Sequence, residues 1–256
     1  VAKSQFGAGG ANPPVNFASN RLLATLGPSD RALLESSAEM VILNKGAILF
    51  GSGDEVAAAH FPAPGTMISL IVDLADGRCI EVATIGKEGA VGGIVSCGKA
   101  PAFARAEVQI PGAALRVEMK ALEAAKARSS QIRDIFCRYA DALLAQIMQS
   151  VACNAAHPLE ARLCRWLLTT QDRSAGDEIP LTQEYLAEML GVQRTTVSGA
   201  ARALQAQGLI SYRRGSVQIK RRDLLEEKAC DCYGSVERHF RDVLPDLKPQ
   251  ILHDVS

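Results

Sequence analysis

LTQEYLAEMLGVQRTTVSGAARALQAQGLI, residues 181–210, is the stretch whose reading decides the fold. Thr182 is placed to N-cap a short helix carrying Leu186, Ala187 and Leu190 on one face. Gly191 ends that helix, and Val192 follows. A second helix is expected from about Gln193 to Gln207, burying Val197, Ala200, Ala201 and Leu204. A small Ala before the turn, a Gly in it and a Val six residues later give helix-turn-helix spacing. The Ala lets the helices approach, the Gly takes the sharp turn, and the Val locks the second helix onto the first.

Charge separates this from a plain helical hairpin. The 256-residue chain is formally neutral, with 28 Lys+Arg against 28 Asp+Glu. Between Met189 and Arg222, however, stand Arg194, Arg202, Arg213, Arg214, Lys220, Arg221 and Arg222, with no Asp or Glu. Phosphate binding requires a concentrated positive footprint of this kind. Arg194, Thr195, Ser198 and Arg202 fall opposite the Val197/Leu204 face and are expected to point outward together. Leu209–Tyr212, Arg213-Arg214-Gly215 and Val217–Ile219 read as a β-hairpin with a basic tip, which completes a winged helix-turn-helix. The rival reading keeps the winged helix but gives it protein contacts, in a ligand- or redox-responsive signalling module. Phosphate contacts would give an affinity that falls steeply with salt, and a protein interface need not.

Upstream, Pro158–Arg173 reads as a helix, with Leu159, Leu163, Trp166 and Leu167 at helical spacing. Residues 118–154 contain neither Pro nor Gly, and Ile132, Phe136, Tyr139, Leu143, Ile147 and Val151 recur at three or four. A helix from Ser129 to Asn154 would be about 39 Å long at ~1.5 Å per residue. Ile135, Leu144 and Met148 form a second apolar row beside the first. One row can pack on the helix's own domain, and the other then needs a partner. Either this is a single buried helix between two domains, or it pairs with a second copy through the Ile132–Val151 row, which is the expected dimer interface.

Residues 39–117 read as β. The apolar runs Met40–Leu43, Ile48–Phe50, Met67–Leu74, Ile80–Ile85, Val108–Ile110 and Ala113–Val117 alternate with Gly/Pro turn signals, as in a small sandwich or barrel-like roll. Asp76-Gly77 marks a hairpin. The Gly-, Ala-, Asn- and Pro-rich residues 1–19 are expected to form a flexible arm.

Composition bounds the remaining possibilities. Hydrophobic residues at 48% and charged residues at 22% exclude whole-chain disorder, and aromatics at 5% leave the core to aliphatic side chains. Seven scattered cysteines make no disulfide framework. No signal peptide or membrane span is legible, so a cytoplasmic protein is expected. The four histidines lie far apart and outside catalytic motifs, so no enzyme is expected. Cys230 with Cys232, and Cys153 with His157 at i,i+4, hint at metal or thiol chemistry. Two ligands do not make a four-ligand zinc site, so no metal is expected.

The order of a β-roll, a long helix and a winged helix-turn-helix, with LTQEYLAEMLGVQRTTV and GLISYRRG, resembles the Crp/Fnr family of bacterial transcription regulators. DGRCIEVATIGKEGAVGG, ACNAAHPLEARLCRWLL and KACDCY are similar to one branch of it. The resemblance runs from about Asn20 to Tyr233. It implies an α+β chain with five parts: an arm at 1–19, a cyclic-nucleotide-binding-like jelly roll at 20–128, a dimerisation helix at 129–154, a winged helix-turn-helix DNA-binding domain at 155–232, and a helical tail at 233–256. It also implies a homodimer on double-stranded palindromic DNA, its half-sites about 34 Å apart, and RNA polymerase as a partner.

Carried over residue by residue, the resemblance gives Arg194 a base or phosphate contact in the major groove. Thr195, Ser198 and Gly199 take readout positions and Thr196 a phosphate contact, with Arg202, Arg213 and Arg214 completing the basic face. Strong guanine readers in the family place Arg where this chain has Gly199. Cyclic-nucleotide-binding members hold the ribose with Gly-Glu and the phosphate with Arg-Ser/Thr. Here Gly92-Gly93 and Ala104-Arg105 stand at those positions, and an Arg displaced by one along a strand faces the other side. Binding of cAMP is therefore not expected, though Gly92, Gly93 and Arg105 are the ligand positions to inspect. The iron–sulfur branch needs N-terminal cysteines, and none precedes Cys79. No cofactor is expected, and an unliganded roll is one of the open readings.

Overall fold

The computed structural model describes residues 14–94, 101–174, 176–213 and 215–244. After α1 (Arg21–Ala24) and α2 (Pro28–Glu35), seven strands build the roll. These are β1 (Ala38–Leu43), β2 (Ile48–Phe50), β3 (Ala58–Pro62), β4 (Met67–Asp73), β5 (Cys79–Ile85), β6 (Arg105–Ile110) and β7 (Gly112–Glu118). They form two antiparallel sheets, ordered β1-β7-β3 and β2-β6-β4-β5. Alternating side chains from both sheets, including Phe61, Ile68, Ala83, Val108 and Leu115, fill one apolar core. The β4–β5 hairpin turns at Asp76-Gly77, where Gly77 has φ +84° and Asp76 Oδ1 accepts from the Arg78 N–H.

Strand β3, AAHFP, carries no alternation and escapes the sequence reading. All five of its residues are buried, so there is no polar face to set a period of two. Pro62 ends it on the edge of its sheet, where no ladder N–H is needed. The arm expected through residue 19 also needs correction: Phe17–Ser19 form a turn of 3-10 helix, and Phe17 is buried in the roll core. Asn20 then fixes the chain. Its buried amide donates to the Pro62 and Gly89 carbonyls, and its Oδ1 accepts from the Leu22 and Leu23 N–H groups that open α1.

Helix α3 (Met119–Arg128) leads into α4 (Ser130–Ala156), N-capped by the Ser129 hydroxyl on the Ile132 N–H. One face of α4 closes the roll. Phe136 meets Phe61 edge-on at 6.0 Å, the Tyr139 hydroxyl donates to the Ala90 carbonyl at 3.1 Å, and Gln146 donates to the Thr84 carbonyl at 3.0 Å.

This seating corrects the expected dimer row. Ile132, Phe136, Tyr139 and Leu143 are buried within their own chain, and Ile147 is half-buried against the same core. The apolar side chains left in water are Leu144, Met148 and, from the expected row, Val151, at 49%, 61% and 64% exposure. Of the two adjacent apolar rows in the sequence, the roll took the one carrying the rings as far as Ile147, together with Ile135 from its neighbour.

A second core belongs to the C-terminal unit. It comprises α5 (Leu159–Gln171), β8 (Glu178–Ile179), α6 (Gln183–Leu190), α7 (Arg194–Ala206), β9 (Ile210–Arg213), β10 (Ser216–Ile219) and α8 (Arg222–Lys228), with the sheet ordered β8-β10-β9. Helix α9 (Cys232–Val243) folds back along α4, setting Phe240 against Tyr139 and His239 against Asp141. Tail residues 245–256 lie outside the described residues.

Gly89 is required by close approach. A Cβ there would collide with the Tyr139 hydroxyl and the ring carbon that bears it. Gly89→Ala must displace a fully buried ring and is expected to cost ~1–3 kcal/mol, as overpacking does, read as a lower midpoint in urea. An unchanged midpoint would mean that Tyr139 is not fixed by this loop.

Candidate nucleic-acid interface

The Thr182 hydroxyl accepts from the Tyr185 N–H and caps α6, and Gly191, at φ +63°, closes its C-terminus in the left-handed region. Helix α7 then buries Val197, Ala201 and Leu204 against α5 and α6. Its opposite face presents Arg194, Thr195, Thr196, Gly199 and Arg202 to solvent. Arg194 pairs with Glu184 at 2.8 Å, but both side chains are more than half exposed. Such a surface pair contributes ~0–1 kcal/mol and yields readily to a phosphate or a base edge.

Ser198 departs from the expected outward row. Its hydroxyl donates either to Gln183 Oε1 at 2.6 Å or to the Arg194 carbonyl at 2.8 Å, so it ties α7 to α6. At Gly199 an added Cβ would meet nothing within 4 Å. In the wing, Arg213 ends β9 in solvent, and Arg214 lies outside the described residues.

The basic run is also narrower in space than in sequence. Arg221 pairs with Asp223 at 2.7 Å, and Arg222 is held by Asp172 at 2.9 Å, by Glu226 and by the Tyr233 hydroxyl. Arg222 is therefore structural. Among the described residues, the outward charge of this face comes from Arg194, Arg202, Arg213, Lys220 and Arg221, the last in a surface pair with Asp223.

The expected ligand positions do not converge. Gly92 and Gly93 take φ +93° and +64°, and their Cβ positions would press on β3 and on Met119 of α3. The Gly93 carbonyl accepts from Lys126 at 2.7 Å. Arg105 instead lies on the other sheet, where Asp73 and Glu107 both engage its guanidinium. Its neighbour Ala106 is the residue that faces the core.

Among the described residues, the histidines do not gather either. His60 is buried in β3, and burial followed by the Arg116 charge brings its imidazole down to about 4, so it is neutral at pH 7. The cysteines behave differently. Cys153, His157, Cys230 and Cys232 come together with their ligand atoms all within 4.8 Å of one another. The expectation of two separate pairs is thus corrected: the return of α9 along α4 superimposes them.

The C-terminal unit is docked on the roll. Ile71 of β4 enters the second core, and Ile80 of β5 lies against Gly191. Arg173 forms a nearly buried ion pair with Glu88 at 2.7 Å. At the centre Glu81 accepts from Trp166 Nε1 at 2.7 Å and is bonded to the Ser69 hydroxyl. No helix among the described residues is long and apolar enough to cross a membrane.

Residues 161–228 match the family model of the Crp-like helix-turn-helix domain. No curated protein matches the chain. Among solved structures, it is similar to FixK2 from Bradyrhizobium japonicum, at 18% identity and a TM-score of 0.64, over 75% of this chain and 98% of that one. It is also similar to TTHB099, a CRP-family transcriptional regulator from Thermus thermophilus (19%, TM-score 0.62, 73% and 95%). TTHA1359, a CRP/FNR-family regulator from the same organism, gives 17%, a TM-score of 0.60, 75% and 98%. The likeness to these structures is one of fold.

Burial raises Glu81 from 4.5 to about 7, against the opposing effect of its bonds to Ser69 and Trp166. Between those two values the folded chain keeps a proton that the unfolded chain has lost. This contribution to stability is therefore full below about 4.5 and lost as pH rises to about 7. Glu81→Gln keeps a neutral group that can bond both partners, so it should be the more stable protein at pH 8, by about 1–3 kcal/mol. That advantage should shrink as pH falls towards 5 in parallel thermal melts. A constant difference at every pH would show that Glu81 does not titrate in the fold.

Proposed function

On the premise that the chain is a Crp/Fnr-type transcription regulator with a helix-turn-helix DNA-binding domain, we propose that it acts as a homodimer on a palindromic site and that its roll does not bind cAMP. The observation that carries the DNA reading is the two-sidedness of α7. Val197, Ala201 and Leu204 hold one face in the core while Arg194, Thr195, Thr196 and Arg202 stand in water on the other. A helix held this way can enter a major groove ~12 Å wide and present side chains to base edges. The wing adds Arg213 as a phosphate contact, a register-setting role that carries no sequence information by itself.

The dimer is supported by the outer face of α4. Leu144, Met148, Val151 and Ala155 follow at alternating steps of four and three, and all are exposed. That is coiled-coil spacing, with three consecutive large apolar residues. Pairing two copies there would place two α7 helices on one side of a duplex, and successive major grooves ~34 Å apart would receive them. The engagement of Arg105 by Asp73 and Glu107, with its neighbour Ala106 taking the core-facing side of the strand, supports the absence of a cyclic-phosphate grip.

Selection of genomic fragments by the purified protein, at moderate salt and without added ligand, is expected to return a palindrome with half-sites about one helical turn apart. Recovery of no preferred sequence, with no salt-dependent binding to random duplex, would overturn the DNA reading. Arg194→Ala should weaken binding to the recovered site by ~1–3 kcal/mol and leave the dimer intact in light scattering. Met148→Glu should do the reverse, giving a monomer whose C-terminal unit remains folded; a dimer in that variant would place the interface elsewhere. Calorimetric titration with cAMP is expected to give no saturable heat, and tight binding would reject that part of the reading.

A further inference from the structure

We propose that Cys153, His157, Cys230 and Cys232 form a tetrahedral zinc(II) site that fastens the end of the long helix to the end of the DNA-binding unit. The backbone brings the four together from two directions. Cys153 lies in the last turn of α4 and His157 caps its C-terminus, with the His157 N–H bonded to the Cys153 carbonyl, so the two stand one above the other at the helix end. Cys230 and Cys232 flank Asp231, whose helical dihedrals (φ −56°, ψ −16°) turn the chain so that both thiols meet that face. The Cys153 and Cys230 sulfurs are 3.5 Å apart, and Cys232 Sγ is 3.4 Å from His157 Nδ1.

A zinc tetrahedron with bonds of ~2.3 Å to sulfur and ~2.0–2.1 Å to nitrogen has edges of about 3.8 Å between sulfurs and about 3.6 Å between sulfur and nitrogen. The two observed separations fall within a few tenths of an ångström of those edges. All three cysteines are buried, as in a closed structural site. Three thiolates and one imidazole are a soft donor set that suits zinc over magnesium or calcium.

Three further contacts fit a metal. His157 directs Nδ1 at the thiols while its Nε2 faces Asp231 at 3.5 Å, the carboxylate–histidine arrangement that orients a ligating imidazole. Gln149 Nε2 donates to Cys232 Sγ at 2.9 Å, which suits a sulfur carrying negative charge. Zinc with three thiolates leaves one net negative charge, and the buried Arg162 guanidinium lies within electrostatic reach of Cys153 and Cys230. Arg162 also donates to the Leu190 carbonyl at 2.6 Å, at the end of α6. The site is therefore one side chain away from the helix-turn-helix, and holding it fixes how α6 and α7 sit on α4.

The test reads metal directly and does not depend on DNA binding. Protein purified without chelator is assayed by elemental mass spectrometry, then stripped and titrated with Co(II). One equivalent of zinc is expected, together with a thiolate-to-Co(II) charge-transfer band and the intense visible bands of tetrahedral cobalt, both abolished by added Zn(II). Cys230→Ser should lose them, and Cys164→Ser, at a buried thiol outside the cluster, should keep them. His157→Cys should retain one equivalent with shifted visible bands, which separates ligand loss from misfolding. Asp231→Asn should weaken Co(II) binding about 10–100-fold. Protein that isolates without zinc and gives no charge-transfer band with Co(II) overturns the site. So does a Cys153–Cys230 disulfide found by peptide mapping as the isolated form.

Discussion

Tyr139 and Phe136 press the long helix onto the roll, and the placement of every other part follows from that seating. With this stripe of α4 committed inward, the helix has two surfaces left. Helix α9 covers one, through Phe240 and His239. The other carries Leu144, Met148 and Val151 into water. Had the roll taken the neighbouring stripe, α9 would have had no platform, and the residues that now face outward would be interior. A single choice of face thus sets which surface stays in water and where the helix-turn-helix unit begins.

That unit is held to the roll by a few polar contacts set among apolar ones. The Glu88–Arg173 pair and the Glu81–Trp166 bond both cross between the roll and α5, and each is largely withdrawn from solvent. Polar groups in such places stabilise little beyond an apolar alternative, but breaking one side of them is costly. They therefore specify a docked geometry more than they add to its strength. Helix α7 lies beyond them, with its basic face free of the roll.

The sequence reading succeeded where the signal was local. Gly191 and Val197, with the period of Leu186, Leu190, Ala201 and Leu204, placed the helix-turn-helix, because turn chemistry and helical spacing act within about one element. It fell short where two solutions shared one pattern. Ile132–Val151 and Ile135, Leu144 and Met148 are both apolar rows, and periodicity cannot tell which members the roll will bury. Strand β3 lacked a period because it has no wet face. Ser198 was assigned outward by helical angle alone, and the reach of Gln183 from the preceding helix drew it in. The cysteine–histidine cluster was out of reach for a different reason: 73 residues separate His157 from Cys230 in the chain, and their meeting depends on the path of α9. Spacing rules describe ligands on one element and are silent when two elements meet.

Gly199 remains as a blank in an otherwise filled row. Glycine inside a helix costs ~1 kcal/mol relative to alanine, and here no neighbour crowds the space a side chain would occupy. The backbone of α7 is already fixed by Val197 and Ala201 on either side. A larger residue could enter at this position without moving anything beneath it. Helix α7 thus holds an open position on its solvent face, where a side chain could change while the packing beneath it stayed as it is.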